Sequence, residues 1–336
     1  MAQVTNTYDT YQSKRNRETW FDDMISRITP EETPFMSMIG KESIDGTHPE
    51  WNNDSLASPN AANKRVQGDV YSFASVSPTV RSGNYTQISM KEFIVAETQE
   101  AVSKVGPKSD YNREMAKKGV ELRIDQEVTL LSNQASLAGN STTPAQLGGL
   151  RAWLSTNDYM GTGGVSGGFN SGTGVVDAAT NGTQRAFTKA LLDTAISGIY
   201  VSGGSADVLM ASPYVKTVFS TFMSDANVAP QRMATSRTTQ ATIVGAADEY
   251  LSDFGTISVV PNRQMARAGA TIARNAFLLD KSKFKVGVLR PMQEDKEVAK
   301  TSDALPGVLK TEYTLISRNE AASGVIADIF GMTASS

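Results

Sequence analysis

The feature that most restricts how this chain can fold is a long extended stretch with too little apolar material to bury itself. From Val70 the pattern has period two, with Tyr71 and Phe73 alternating with Ser72 and Ala74, and RSGN at 81–84 supplies a turn. A second run follows, YTQISMKEFIVAETQEAV at 85–102, in which Ile88, Met90 and Ile94 mark one face. At strand rise, Val70–Val80 alone would span roughly 36 Å. A two-stranded ribbon this poor in large apolar groups is not stable by itself. The expectation is a long hairpin over 70–98 that serves as an arm for a partner surface.

The remainder of the 336 residues supplies the core, since 40% of the chain is hydrophobic, and the length suggests about two domains. Residues 1–44 read as an arm. Lys14, Arg15 and Arg17 precede Trp20, Phe21, Met24, Ile25 and Ile28 at helical spacing, and TPFMSMIG at 33–40 crowds Phe35, Met36, Met38 and Ile39 together. The basic trio reads as a solvated face or as a contact with packaged nucleic acid or an acidic neighbour. Residues 110–139 predict a long helix, capped by Ser109 or Asp110 and ended by Gly139–Asn140, a rod of about 45 Å. Ala116, Val120, Ile124, Val128, Leu131 and Ala135 form its expected buried stripe. Glu114–Lys118 and Arg123–Glu127 are its expected surface ion pairs.

Between Val128 and Gln184 the only charges are Arg151, Asp158 and Asp177, and residues 161–174 hold seven glycines. A run of this kind predicts a mobile surface loop, uncharged enough to rest against another subunit. An α/β unit follows, with a helix over 183–200, a strand in ADVLMASP, a helix begun by Pro213, and strands at 256–260 and 276–280. Alternation at Phe284, Val286 and Val288, and again at Leu309, Thr311, Tyr313 and Leu315, returns the chain to strands, and GVIADIF at 324–330 closes it.

Catalytic chemistry finds little support. Without cysteine there is no disulfide, thiol nucleophile or Cys-ligated metal, and the single His48 excludes centres built on several imidazoles. Gly164, Ser166 and Gly168 match GxSxG, but no strand precedes the serine, no helix follows it, and the histidine lies on the wrong side in sequence. Phosphate-loop motifs are absent, and no acid–base pair stands out among the carboxylates. No cofactor or metal site is expected. Nothing resembles a secretory signal, and no stretch approaches the ~20 apolar residues of a membrane span. Lys plus Arg number 32 against 35 Asp plus Glu, a net charge of −3, which suits a container better than a protein that compacts nucleic acid.

The order of several segments carries a resemblance. TPFMSMIG at 33–40, NYTQI at 84–88, TQEAV at 98–102 with Gly106, LGGLRAWLSTND at 147–158, VVPNRQM at 259–265, and LDKSKFKVGVLRP through EYTLISRNEAASGVI span most of residues 33–326. In this order they resemble the major capsid (major head) proteins of tailed bacteriophages with the Hong Kong ninety-seven-type fold, and more narrowly the branch with an NYTQI-like hairpin. The resemblance implies a mixed α+β fold in five parts. These are an N-terminal arm at 1–44, an extended β-hairpin loop at 45–105, a peripheral domain with a spine helix and Gly-rich loop at 106–180, an axial α/β domain at 181–287, and peripheral return strands at 288–336.

It further implies self-assembly through homo-pentamers and homo-hexamers into a head enclosing double-stranded DNA, held without sequence specificity. The subunit would be assembled in the host cytoplasm and reside in the virion. Expected partners are a portal and possible decoration proteins; no scaffolding segment precedes the arm, so a separate scaffolding protein is expected. No membrane partner is expected. The candidate inter-subunit contacts are Phe35, Met36, Tyr71, Phe73, Arg81, Asn84, Tyr85, Gln87, Phe93 and Arg151. The alternatives are an encapsulin-like bacterial nanocompartment shell and a serine hydrolase acting through Ser166. Lys91 lies on the hairpin without any neighbour that marks it for covalent crosslinking.

Overall fold

Local capping and alternation set most of the elements. The computed structural model describes residues 29–222 and 248–335, apart from 72, 74, 77, 103–108 and 301. The basic trio, the helical pattern at 20–28 and Gly106 lie outside the described residues. In chain order the elements begin with α1 (Pro34–Met38), β1 (Gly40–Ser43), β2 (Glu50–Asn53), β3 (Val80–Gly83), β4 (Gln87–Ala96) and α2 (Glu97–Ala101). The spine helix α3 (Asp110–Leu131) follows, then α4 (Leu150–Trp153), β5 (Asp158–Tyr159), β6 (Gly168–Asn170) and β7 (Val175–Asp177). Next come α5 (Lys189–Val201), β8 (Val208–Ala211), α6 (Pro213–Thr221), β9 (Glu249–Ser252) and β10 (Gly255–Pro261). The chain ends with α7 (Arg263–Arg267), α8 (Ala270–Ala273), β11 (Ala276–Leu279), β12 (Phe284–Glu294), β13 (Ala304–Ser317) and β14 (Gly324–Ile326).

Two sheets organise the core. One has the order β1-β12-β13-β4, the other β5-β14-β11-β8-β10-β9. In the six-stranded sheet β8 (VLMA) and β11 (AFLL) are buried at every residue, as continuous apolar runs covered on both faces must be. Helices α5 and α6 cover one face through Leu192, Ile196, Ile199, Val215 and Phe219. Each is started by a hydroxyl cap, Thr188 accepting from Leu191 N and Ser212 from Val215 N. A second core joins Phe35, Leu130, Leu150, Trp153, Phe277, Phe284 and Tyr313.

The extended region departs from expectation. The described residues among 70–79 form no strand, and 87–96 pair elsewhere. Instead β3 pairs antiparallel with β2 (Glu50↔Gly83 to Asn53↔Val80), so the turn expected at 81–84 is itself strand. Strand β4 lies antiparallel along β13 from Gln87↔Tyr313 to Ala96↔Ala304. The apolar side chains of β13 reward that pairing, and the bare ribbon 70–80 offers no equivalent surface.

The spine helix also stops earlier than expected. Ser109 Oγ accepts from Asn112 N at its start, as anticipated. Its end comes at Leu131 because Ser132, Asn133 and Gln134 turn their side chains to other backbone. Ser132 Oγ donates to Thr129 O (2.7 Å), Asn133 brackets Ala179 through its N and O atoms (2.9 and 2.6 Å), and Gln134 Nε2 donates to Leu147 O (2.8 Å). The buried positions are Leu122, Gln126, Glu127, Leu130 and Leu131; Ala116 is exposed and Ala135 lies beyond the helix. The ion pairs form at other spacings, Glu114 with Arg113 (3.0 Å) and Lys117 (3.7 Å), and Lys118 with Glu121 (2.8 Å).

The α/β helix expected over 183–200 begins only at Lys189. Residue Arg185 is held instead by the C-terminal segment, its N donating to Asp328 O. That segment does not stay with the four-stranded sheet. Strand β14 pairs antiparallel with β11 and parallel with β5, so residues 324–326 complete the six-stranded sheet.

Candidate assembly surface

The apolar side chains that the fold leaves uncovered are concentrated between β2 and β3. Leu56, Val66, Val70, Tyr71, Phe73 and Val76 are 79–98% exposed, with no regular structure to bring them together. Scattered apolar residues on a surface are ordinary, but a cluster on one projecting segment marks a contact site. A second apolar stripe runs along the outer face of β4. Ile88, Met90 and Ile94 are 50–62% exposed there, on a strand at the edge of its sheet.

The base of the loop is fastened by the NYTQI segment. Asn84 is fully buried, donates to Gly148 O (3.1 Å) and Leu315 O (2.8 Å), and accepts from Gly148 N (2.8 Å). Thr86 Oγ1 donates to Glu312 Oε1 (2.8 Å), whose other oxygen accepts from Arg290 Nε (2.8 Å). Thr314 Oγ1 donates to Tyr85 O (2.7 Å), and Gln87 Oε1 accepts from Gln134 Nε2 (3.0 Å). The Tyr85 ring stacks on His48 at 4.1 Å, and Glu50 receives Arg81 Nε at 3.0 Å. The loop therefore projects from a rigid root, and His48 is a packed loop side chain within it.

Of the candidate contact residues, the structure leaves Tyr71, Phe73 and Arg81 exposed and Tyr85, Gln87 and Phe93 half-buried. Phe93 rests on Tyr111 with ring centroids 5.2 Å apart. Phe35, Met36, Asn84 and Arg151 are instead buried within the subunit, at 0%, 6%, 0% and 0% exposure. Lys91 is paired with Asp125 Oδ2 at 2.5 Å.

The glycine run lies at the surface, and its second half belongs to a hairpin of β6 and β7 that rests on the subunit's own core, with the Phe169 ring stacked on Trp153 (5.9 Å). At Gly161 and Gly167 an added Cβ would land inside the contact distance of the carbonyl oxygens of Thr183 and Asp177. Asp328 Oδ2 accepts from Gly161 N (3.0 Å) and Gly182 N (2.9 Å), and its other oxygen lies 2.6 Å from Arg274 Nη2. Nearby, Arg151 Nη1 meets Asp158 Oδ2 at 2.9 Å with both side chains fully buried. Burial pushes the Asp158 carboxyl above its ordinary range, while the Arg151 guanidinium pulls the other way. The sequence singled out Arg151 as a contact candidate and gave Asp158 no role; the two form an internal ion pair.

Ser166 sits in this segment, exposed, with its Oγ donating to Met160 Sδ at 3.7 Å. The only histidine is engaged by Tyr85 and Glu50 instead. No group of described residues could hold a metal ion, and no described helix is long and apolar enough to cross a membrane.

Comparison with known proteins agrees with this geometry. Residues 3–330 match the family described as SU10 major capsid protein. Over 342 aligned residues the chain is 28% identical to the major capsid protein of Escherichia phage Phieco32, covering 94% of this chain and 95% of that one. The cyanophage A-1(L) capsid asymmetric unit shares the fold at 13% identity and TM-score 0.57, over 97% of this chain and 100% of that chain. The structure of the phage G major capsid and decoration proteins does so at 12% identity and TM-score 0.51, over 98% and 99%. The mixed α+β capsid fold expected from the resemblance is thus the one observed.

Proposed function

Because the chain belongs to the SU10 major capsid protein family, we propose that residues 54–79 are its inter-subunit contact loop, laid over a neighbouring copy in the shell. The protein is a structural subunit that assembles into the phage head, resides in the virion capsid and is not an enzyme. The observation that carries the proposal is the loop's apolar exposure, above all Tyr71 at 88% and Phe73 at 95%. At about 25 cal/mol per Å² of apolar surface removed from water, covering such side chains favours association by several kcal/mol per subunit. Exposed Ile88, Met90 and Ile94 on β4 offer a flat receiving face of matching chemistry.

Within this reading residues 1–44 are an arm and 45–105 the extended loop. Residues 106–180 with 288–336 are a peripheral unit, and 181–287 an axial unit that meets its copies in pentamers and hexamers. Rings of one subunit use different patches on each side, which suits a projecting loop and a separate receiving face. A separate scaffolding protein, a portal and packaged double-stranded DNA held without specificity complete the assembly. Decoration proteins, present on the phage G shell, are further partners. NYTQI-type fastening of the loop root defines the narrower branch.

Electron microscopy of the expressed chain tests the loop, with scaffolding protein supplied if the unmodified chain needs it. The double substitution Tyr71→Ser with Phe73→Ser, or deletion of residues 56–78, is expected to leave soluble subunits or capsomers and no closed shells. Closed shells of normal size from either variant would overturn the assignment. Removing residues through 98 is not a fair version of this test, since it takes β4 out of the sheet.

A further inference from the structure

Glu127 is fully buried in the spine helix, and its hydrogen bonds come from neutral donors on two distant elements. Oε1 accepts from Phe35 N (2.8 Å) and Asn262 Nδ2 (2.8 Å), while Oε2 accepts from Met36 N (2.9 Å). The two backbone donors belong to the first turn of α1, where amides lack partners within the helix. Thr33 stands at the usual capping position and makes no side-chain cap. A carboxylate from the spine helix does that work.

The same carboxylate reaches the junction of β10 and α7. Buried Asn262, which donates to Glu127, also caps α7 by accepting from Gln264 N (2.9 Å). Gln264 Nε2 in turn donates to Pro30 O and Glu32 O, both at 3.0 Å, so the loop of contacts returns to the segment that leads into α1. Burial pushes the Glu127 carboxyl above its ordinary range, and its three hydrogen bonds and Arg123 only partly oppose that. An anion held this way is sensitive to the loss of any one donor.

We propose that Glu127 is a coupling latch: its two oxygens set the seating of residues 30–36 and the placement of Asn262 at the head of α7 together, so that loosening one loosens the other. The inference rests on the reading of residues 1–44 as an arm. In a shell, a pull on the arm by a neighbouring subunit would then reach the six-stranded sheet through β10, whose last residues precede Asn262 directly. No ligand is needed. The device is a shared acceptor.

Hydrogen exchange of the full chain, resolved to single amides, tests the coupling by perturbing one end and reading the other. Glu127→Gln replaces one acceptor oxygen with a donor, and its far readout is Gln264 N. Asn262→Ala leaves the backbone donors of α1 untouched, and its far readout is Phe35 N and Met36 N. Each variant is expected to speed exchange at its far readout by about tenfold, with Leu209 and Leu278 in the centre of the six-stranded sheet unchanged. Acceleration confined to the mutated end would overturn the proposal and reduce Glu127 to a local cap. Should Glu127→Gln fail to fold, Asn262→Ala alone decides, because unchanged Phe35 and Met36 amides refute the latch. Deletion of residues 1–28, scored for shells by microscopy, tests the arm reading separately. Shells from that deletion would refute the arm while leaving coupled exchange intact.

Discussion

Two surface segments that read alike in sequence behave in opposite ways. Residues 54–79 and residues 161–182 are both polar, turn-rich and free of a helical period. The first holds six large apolar side chains in water. The second, richer in glycine and expected to be the mobile one, is pinned by Asp328, stacked on Trp153 and threaded so closely that Gly161, Gly167 and Gly182 admit no Cβ. At those three positions glycine marks close backbone approach rather than freedom. What separates the segments is whether their own subunit offers a surface to rest on.

That contrast is sharpest at Gly167. Gly167→Val is expected to cost about 3 kcal/mol or more, or to prevent soluble expression, because the carbonyl it meets belongs to paired backbone that cannot withdraw. A variant melting like the parent would show the glycine run to be as loose as composition suggests. Next in size is Arg151→Ala, which strands Asp158 without its partner in the interior. A loss of about 3–5 kcal/mol by denaturant unfolding is expected. A loss under 1 kcal/mol would mean that water already reaches the pair.

A smaller effect is expected at Tyr111, at the rim of the spine helix, where Tyr111 Oη donates to Glu294 Oε1 at 2.7 Å. Burial, with Glu294 adding to it, pushes the phenol from 10 up to about 12. A raised value means the folded state keeps its proton longer, so this contribution is complete below pH 10 and is lost as pH rises toward about 12. Tyr111→Phe should remove that alkaline drift and change neutral stability by roughly 0.5–1 kcal/mol, the scale of a solvent-screened bond. A drift of unchanged slope in the variant would assign it to other groups.

The smallest change in subunit stability is expected where assembly suffers most. Phe73→Ser should leave unfolding of the isolated subunit within about 0.5 kcal/mol of the parent. A large drop would show that the loop already packs on its own chain and would dissolve the comparison.

Local signals in the sequence were sound wherever the physics was local. The cap at Ser109, Pro213 at a helix start, and the apolar runs of β8, β10 and β11 all appear where patterning puts them. The candidate surface was half legible, since Tyr71 and Phe73 stood out as aromatics with no core to join. What could not be read was long-range choice. Nothing near Gln87 says that its strand pairs with residues beyond 300, and nothing near Glu127 says that its partners are Phe35 and Asn262. Arg123 four residues earlier made Glu127 look like half of a surface pair. The available signal was an acidic residue close to Val128, Leu130 and Leu131.

The placement of β14 has a bearing on timing. A ribosome delivers β5, β8 and β11 well before residues 324–326, yet that strand must slot between β5 and β11 for the sheet to close. The other sheet waits as well, since β1 and β4 near the start pair with β12 and β13 near the end. However fast the earlier segments collapse, neither sheet can close until these late strands have been made. A nascent subunit therefore has neither sheet complete until residues 304–326 are made, and the order of synthesis itself keeps half-made chains from presenting a finished surface to the growing shell.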